Sequence, residues 1–321
     1  MPTTASAPAA VPATPRSASR STLLADYAIL VKPRVSLMVI ITAAAGFYLG
    51  SLASGIPPFN LLLLKTLIGV ALVTAGSSVL NQALERNTDL LMPRTASRPM
   101  AQRRISFAHG LVLGFLLVCG GSIYLAWAVT ALTGLLTLLT AVAYVAIYTP
   151  LKRITTLNTF IGAFPGALPP LIGWTAARGL IEWPAVALFA ILFVWQFPHF
   201  MAIGWLYRKD YGEAGIRVTS TQSSAAWAAR SSAVQALVYA ILMVPVSLWP
   251  YWLHLTGLPY ALVATALGLW YLAATIRFFA ITRHPNEPSR TIARHLLKVS
   301  VIYLPLLLIA MMLNAHGRLL F

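Results

Sequence analysis

Long apolar stretches, separated by short polar segments, run along most of the chain. Their lengths of about 17 to 25 residues match an α-helix that crosses roughly 30 Å of hydrocarbon. A helix is expected in each stretch because a backbone in lipid must satisfy its own hydrogen bonds. The predicted fold is all-α, a polytopic membrane protein with nine transmembrane helices. The predicted spans are 35–54, 60–83, 107–127, 130–148, 157–176, 184–206, 232–250, 258–280 and 297–315.

Composition places the chain in a membrane rather than in water. Of its residues, 59% are hydrophobic and only 9% are charged, and the mean hydropathy is +0.78. The net charge of +16 does not indicate a nucleic-acid partner. Basic residues gather in cytoplasmic loops and interact with anionic lipid, which accounts for most of that charge. The expected partner is the lipid bilayer, with no nucleic acid.

The distribution of lysine and arginine predicts the orientation. With the N-terminus in the cytoplasm, all but Lys65, Arg178 and Arg318 of the 23 basic residues lie on that side, and nine spans leave the C-terminus outside. Residues 1–25, rich in Ala, Pro, Ser and Thr, are predicted to be a disordered tail, and 26–321 a single transmembrane domain. Abundant proline argues against an organellar transit peptide. The bacterial inner membrane is therefore favoured over the mitochondrial inner membrane.

Scarce acidic residues gather next to arginines after the second predicted span. On a continuing helix, Asn81, Glu85 and Asp89 stand at i, i+4 and i+8, so their oxygen atoms share one face. Such hard oxygen donors, completed by phosphate oxygens and water, are what Mg²⁺ accepts. Arginines beside them offer forked donors for a diphosphate. These arginines are Arg86, Arg94 and Arg98. The alternative is a solvated loop in which the acids pair with these arginines.

A second acidic cluster follows the sixth predicted span, and the topology puts it on the same membrane face. Asp210 and Glu213, at i and i+3, are candidate ligands of a second metal ion. Arg208 and Lys209 beside them are candidate phosphate-binding residues. The alternative is a basic juxtamembrane loop with incidental acids.

Three further polar residues are candidates for substrate contact. Lys152 and Arg153 lie on a short loop that faces both acidic clusters, so we expect them to meet the anion, although they could also serve only to fix topology. His199 lies inside the sixth span, where an ionisable side chain is costly unless it is used. It is a candidate catalytic residue, with a buried, hydrogen-bonded histidine as the alternative.

Several motifs, from about Asp26 onward, resemble those of the UbiA-type intramembrane prenyltransferases, and within them the branch that farnesylates heme. The motifs are Lys32-Pro-Arg34, Asn81-Gln-x-x-Glu-Arg-x-x-Asp89-x-x-Met-x-Arg94-Thr-x-x-Arg98-Pro, Tyr148-Thr-Pro-x-Lys152-Arg-x-Thr-x-x-Asn158, Gly162-Ala-x-Pro-Gly-Ala-x-Pro-Pro-x-x-Gly173-Trp, Pro198-His-Phe and Asp210-Tyr-x-x-Ala-Gly215.

The resemblance implies both an architecture and a reaction. The helices would surround a central cavity that opens toward the membrane, with Mg²⁺ and an isoprenoid diphosphate at its cytoplasmic mouth. Asn81, Glu85, Asp89 and Asp210 would be the catalytic and metal-binding residues, with His199 as a further catalytic candidate. A farnesyl group from farnesyl diphosphate would join a vinyl group of heme B, with hydration. Heme B is a substrate here, and a heme O-oxidising enzyme is a candidate partner.

The acceptor is suggested by two departures from the broad family pattern. Glu85 stands where the first aspartate of the upstream motif is usual, and Ala214 where the second acid of the downstream motif is usual. The resemblance associates both with heme rather than with a quinone-type acceptor. A carbocation-like allyl group favours a dry, aromatic-lined pocket. The predicted substrate pocket consists of Tyr148, Asn158, Trp174, Tyr207 and Tyr211.

Two other functions stay open on the sequence. Another prenyltransferase of the same type could act on an aromatic ring or a chlorin. A membrane transporter would carry ionisable groups near mid-membrane at broken helices, whereas the acids here gather at span ends. The proline-rich fifth span is the feature that favours the transporter.

Overall fold

The computed structural model describes residues 23–222, 224–282 and 287–315, and nearly all of them are helical. The helices are α1 (Leu23–Leu30), α2 (Pro33–Ala53), α3 (Leu61–Asp89), α4 (Phe107–Ala128), α5 (Ala131–Val142), α6 (Thr149–Leu151), α7 (Asn158–Arg178), α8 (Trp183–Leu206), α9 (Arg208–Glu213), α10 (Ala225–Trp252), α11 (Leu258–Phe278) and α12 (Glu287–Leu313). Arg318 and most of the predicted disordered tail, 1–25, lie outside the described residues.

Within the described residues, nine helical segments are long and apolar enough to cross a membrane, which confirms the predicted fold class. The largest difference is at the start of α12, which begins at Glu287 rather than near 297. Helix α3 continues to Asp89 rather than ending near residue 83, and α10 begins at Ala225 rather than near 232. Hydropathy does not mark these polar turns. The start of α10 is fixed instead by a cap, because Ser224 accepts a hydrogen bond from the Trp227 backbone N–H.

The fourth membrane segment changes its helical pitch. After α5 the chain forms a π-helical turn over Ala143–Tyr148, which leads into α6. A π turn places one extra residue in the turn and therefore changes the direction of the side chains that follow it. Tyr144 and Tyr148 both lie in this turn, and their rings are 5.6 Å apart between centroids and tilted by 34°.

Glycines allow α2 and α7 to cross at backbone contact. A Cβ on Gly173 would lie 1.9 Å from the Ala43 carbonyl oxygen, and one on Gly46 would lie 1.9 Å from the Pro170 carbonyl oxygen. Small residues permit such close approach between membrane helices. The largest buried cluster lies next to this crossing, among α7, α8, α10, α11 and α12, and contains the buried rings of Trp174, Trp205, Tyr271 and Tyr303.

Loops at one end of the bundle are joined by specific contacts. Met92, Ala214 and Ile216 form a small buried cluster that brings the segment after α3 against the segment after α9. The Arg217 backbone N–H donates to the Lys152 carbonyl oxygen at 2.7 Å, which ties in the loop after α6. Three polar loops, distant in sequence, thus meet where the polar end of α3 lies.

Candidate functional site

A charged cavity of about 150 Å³ lies beneath these loops. Its polar wall comes from the end of α3, the loop after α3, the junction of α6 with its loop, and the start of α2. Arg94, Arg98, Lys32 and Lys152 bring four basic groups to it, against the carboxylates of Glu85 and Asp89. Its lining residues are Lys32, Asn81, Glu85, Asp89, Met92, Arg94, Thr95, Arg98, Tyr144, Tyr148, Lys152, Asn158, Tyr211, Ile216 and Val218.

Each member of the predicted oxygen triplet contacts a basic side chain. Arg98 Nη1 donates to both Asp89 carboxylate oxygens, at 2.7 and 2.8 Å. Lys152 Nζ donates to Glu85 Oε1 at 2.8 Å, and Lys32 Nζ donates to Asn81 Oδ1 at 2.8 Å. The three oxygen donors therefore lie on one side of α3, and each is within hydrogen-bond reach of a cation.

The surroundings of Lys32 and Lys152 shift their pKa values in opposite directions. Burial, followed by the charge of Arg98, lowers the pKa of Lys32 to about 7. Burial also opposes the charge of Lys152, but Tyr148 and Glu85 outweigh it, and the pKa of Lys152 is raised. Lys152 Nζ lies 4.5 Å from the centroid of the Tyr148 ring. An incoming anion would favour the charged form of Lys32.

Lys32 also adopts an uncommon backbone conformation, with φ of 47° in the left-handed region. A residue with a side chain there carries a cost of order 1–3 kcal/mol, and such residues gather at functional sites. Pro33 follows it at the start of α2 and fixes the entry to the helix. Lys32 was not among the predicted site residues. The Lys-Pro-Arg motif that contains it is the feature of the sequence that could have indicated it.

An apolar cavity of about 330 Å³ adjoins the charged one. Aliphatic residues of α2, α3 and α7 line it, including Val35, Val73 and Ile172, together with serine and threonine residues of α3 and α5. Gln196 of α8 contributes an amide. Tyr144 and Tyr148 line both cavities. The π turn therefore supplies the two rings at the junction between the charged and apolar spaces.

The structure brings most of the predicted α3 cluster together with residues from distant loops. The predicted residues that line the charged cavity are Asn81, Glu85, Asp89, Arg94, Arg98, Lys152, Tyr148, Asn158 and Tyr211. Arg94 lies over the rings of Tyr207 and Tyr211, at 4.8 and 4.9 Å from their centroids. Tyr207 itself is exposed, so it contacts the cavity wall from outside.

Four predicted phosphate-binding residues do not line this cavity, so their role stays a prediction from the sequence. Arg86 lies over the Phe107 ring at 4.2 Å, because it is one position after Glu85 and so points about 100° away around α3. Arg208 lies over Trp205 and donates to its carbonyl oxygen at 2.9 Å. Arg153 and Lys209 have exposed side chains.

The second acidic cluster meets the first through tyrosine and apolar side chains rather than through its carboxylates. Tyr211 lines the charged cavity, whereas neither Asp210 nor Glu213 does. Glu213 is exposed and Asp210 is half-buried on the short helix α9. The i, i+3 spacing was expected to gather both acids, but α9 presents Tyr211 to the cavity instead. Their role as metal ligands stays a prediction from the sequence.

His199 and Trp174 also point away from both cavities. His199 Nδ1 lies 2.8 Å from Ser300 Oγ of α12, and its ring stacks on Trp195 at 4.9 Å. Trp174 is fully buried and donates from Nε1 to Glu182 at 2.9 Å. The structure places both against neighbouring helix residues rather than in either cavity, and their catalytic and substrate-pocket roles stay predictions from the sequence.

The residues around α3 fit Mg²⁺ only if a ligand completes the coordination. In the part of the chain that the structure describes, no group of three or more His, Cys, Asp or Glu side chains is close enough to hold a metal ion. The cavity does offer two carboxylates, from Glu85 and Asp89, and the amide oxygen of Asn81 as possible ligands. Mg²⁺ is commonly bound by one or two carboxylates together with substrate phosphates and water, and the donor set fits that arrangement.

Solved membrane-protein structures share this fold. A digeranylgeranylglyceryl phosphate synthase superposes with a TM-score of 0.73 at 18% identity, covering 91% of this chain and 98% of that chain. A UbiA homologue from Archaeoglobus fulgidus bound to GPP and Mg²⁺ superposes with a TM-score of 0.59 at 15% identity, covering 89% and 99%. At these identities the likeness concerns the fold alone.

Sequence comparison establishes the family. The chain belongs to the UbiA prenyltransferase family, whose model matches residues 39–302. It is similar to the protoheme IX farnesyltransferase of Koribacter versatilis, with 44% identity over 92% of this chain and 94% of the relative. It is also similar to the protoheme IX farnesyltransferase of Solibacter usitatus, with 38% identity over 91% and 99%. The protein is therefore a membrane-embedded prenyltransferase, as its motifs predict.

Proposed function

We propose that this protein transfers the farnesyl group of farnesyl diphosphate to a vinyl group of heme B, with hydration, and so forms heme O and diphosphate. The observation that carries the proposal is a charged cavity joined to an apolar one through Tyr144 and Tyr148. An isoprenoid diphosphate has the same division, with an anionic head and an apolar chain. The relatives named as protoheme IX farnesyltransferases support heme as the acceptor.

The diphosphate head would be bound by the basic residues of the charged cavity. Arg98 and Arg94 present forked guanidinium groups, which match phosphate oxygens in geometry, and Lys152 and Lys32 add compact charges. An incoming diphosphate competes with Asp89 and Glu85 for these cations. Glu85 and Asp89 would hold Mg²⁺, which would supply positive charge to offset the charge on the leaving diphosphate. The solved UbiA homologue with GPP and Mg²⁺ supports this metal dependence.

The chain's own residues also shape the other half of the reaction. The faces of the Tyr144 and Tyr148 rings can stabilise positive charge on the allylic carbon. The apolar wall of the larger cavity, which includes Val35, Val73 and Ile172, excludes bulk water from that cation. Asn158 donates to the Arg217 carbonyl oxygen and thus holds the loop after α9 against the site.

The product tests the proposal directly. The purified protein in lipid vesicles receives heme B, farnesyl diphosphate and Mg²⁺, and the heme is extracted for mass analysis. We expect a product heavier than heme B by one farnesyl group and one hydroxyl group, with equimolar diphosphate release. Farnesyl transfer to an added aromatic acceptor but not to heme would favour another prenyltransferase specificity. Absence of farnesyl transfer to either acceptor would contradict the proposal.

Lys152→Met is expected to lower the rate of farnesyl transfer by about 10²-fold or more, because one preorganised donor to the developing charge is lost. Initial rates of diphosphate release measure this. Lys152→Arg keeps a cation beside Glu85 and retains more activity. Arg153→Met removes the neighbouring exposed charge and is the matched control, expected within about threefold of wild type. Equal losses in Lys152→Met and Arg153→Met would contradict the assignment.

The proposed setting is the bacterial inner membrane, with the charged cavity facing the cytoplasm. Basic residues in the loops that cover the cavity support this orientation, since such residues remain on the cytoplasmic side. Farnesyl diphosphate would then enter from the compartment that the loops face. A cysteine placed at exposed Arg153 is expected to react with a membrane-impermeant thiol reagent only in inverted vesicles. Reaction in intact cells would reverse the orientation.

A further inference from the structure

A third cavity adjoins the two that the proposed function uses. It has a volume of about 70 Å³ and lies between α8, α10 and the segment after α9. Tyr148 lines this cavity, the charged cavity and the apolar cavity. Phe200 is shared with the apolar cavity, while Asn158 and Tyr211 are shared with the charged one. We call it the hydroxyl chamber, because Thr159, Thr219, Ser220 and Ser232 line it.

Ser232 is the distinctive residue of the hydroxyl chamber. Its side chain is fully buried, and its Oγ has no hydrogen-bond partner within the described residues. The neighbouring hydroxyls have partners. Ser220 Oγ donates to the Gly204 carbonyl oxygen at 2.7 Å, and Thr219 Oγ1 accepts from Gln235 Nε2 at 3.4 Å. A buried hydroxyl without a partner is costly, so the position of Ser232 indicates a small polar ligand in the chamber.

Size and charge limit what that ligand can be. A volume of about 70 Å³ is too small for a porphyrin or an isoprenoid chain. Of the described residues that line the chamber, none carries a charge, so it lacks the cations that a diphosphate or a carboxylate needs. Its hydroxyl and amide groups are typical of a site for one or a few water molecules, which need two to four polar partners.

We propose that the hydroxyl chamber holds the water molecule that hydrates the farnesylated vinyl group, with Ser232 as a positioning residue. The inference rests on the proposed function, whose product contains a hydroxyl group. The reaction needs bulk water to be excluded from the allylic cation and yet needs one water at the next step. A small polar chamber that meets the apolar cavity at Tyr148 and Phe200 provides both conditions.

The chemistry balances with water as the only further reactant. The farnesyl carbon that leaves diphosphate forms a bond to the terminal vinyl carbon, and the positive charge moves to the inner vinyl carbon. The water oxygen donates an electron pair to that inner carbon, and the proton it loses passes to the released diphosphate. Without a positioned water, the same cation loses a proton from its neighbouring carbon. The product is then a farnesylated alkene, lighter than the hydrated product by one water.

The ratio of hydrated to anhydrous farnesylated heme measures the role of Ser232. Wild type, Ser232→Ala, the nearly isosteric Ser232→Cys and the control Ser231→Ala are each assayed in vesicles with heme B and farnesyl diphosphate in heavy-oxygen water. Ser231 is adjacent on α10, does not line the chamber, and accepts from Gln235 at 3.1 Å. We expect the anhydrous share to rise about tenfold in both Ser232 variants, with total farnesyl transfer near wild type, and no change in Ser231→Ala.

The outcomes separate this inference from the proposed function. Farnesylated heme from wild type, with an unchanged product ratio in both Ser232 variants, would overturn the inference and leave the function intact. A fall in hydrated and anhydrous products together would also overturn it, since a water site does not act on farnesyl transfer itself. If the alanine variant does not accumulate in membranes, the cysteine variant decides. No farnesylated heme from wild type would reject the function, and the inference with it.

Discussion

Replacing Asp89 with asparagine is expected to lower farnesyl transfer by about 10³-fold or more, because metal-assisted neutralisation of the leaving diphosphate contributes several kcal/mol. Asp89 is 1% exposed and lies in the charged cavity, where Arg98 contacts both of its oxygens. Asparagine has nearly the same shape, so the fold is retained. Diphosphate release measures the rate, and the Mg²⁺ concentration for half-maximal activity is expected to rise.

The matched control is Glu213→Gln, which removes an exposed carboxylate from the same end of the bundle. We expect it to stay within about threefold of wild type, as surface charges contribute little. A large loss of activity in Glu213→Gln would support the ligand role that the sequence predicts for this residue. If Asp89→Asn transfers farnesyl at the wild-type rate and with the wild-type Mg²⁺ dependence, the proposal that α3 holds the metal ion is wrong.

Gly173→Ala is expected to destabilise the protein by about 3 kcal/mol or more, at the upper end of the cost of overpacking. The added Cβ would lie 1.9 Å from the Ala43 carbonyl oxygen and 2.7 Å from the Phe47 backbone nitrogen. Both are backbone atoms of α2, so no rotamer change relieves the contact. Helix α2 must move as a whole, and Val35 and Val39 on it line the apolar cavity.

Thermal unfolding in detergent measures the effect of Gly173→Ala, with farnesyl transfer as the second readout. Gly120→Ala is the control, since Gly120 lies inside α4 and a Cβ there meets nothing within 4 Å. That control is expected to be neutral or to stabilise by about 0.5–1 kcal/mol, because alanine favours a helix. Equal melting temperatures for Gly173→Ala and wild type would show that the α2–α7 crossing tolerates separation.

Much of the fold could be predicted because it depends on local pattern. Apolar length fixes where a helix can cross a membrane, and all nine predicted spans have a counterpart among the described residues. Helical periodicity placed Asn81, Glu85 and Asp89 on one face, and all three line one cavity. The motifs also predicted the family correctly. The end of α3 and the starts of α10 and α12 were missed because charged and polar residues there interrupt the hydropathy signal.

Side-chain direction across elements could not be predicted in the same way. His199 and Trp174 lie on correctly predicted helices, but contacts with Ser300 and Glu182 turn them away from the cavities. Arg86 is adjacent to Glu85 in sequence and points elsewhere on α3. The π turn at Ala143–Tyr148 directs Tyr144 and Tyr148 to the junction of two cavities, and neither periodicity nor motif indicated it.

The sequence alone determined a nine-helix membrane protein of the UbiA family and one helical face of oxygen donors. Only the tertiary structure decided which cations meet those donors. Lys32, 49 residues before Asn81, and Lys152, 67 residues after Glu85, reach the end of α3 from separate loops. Helix formation follows from local hydrogen bonding and apolar length, which a sequence displays directly. The approach of two lysines from distant loops depends on how α2, α3, α6 and α7 pack, which no local pattern displays.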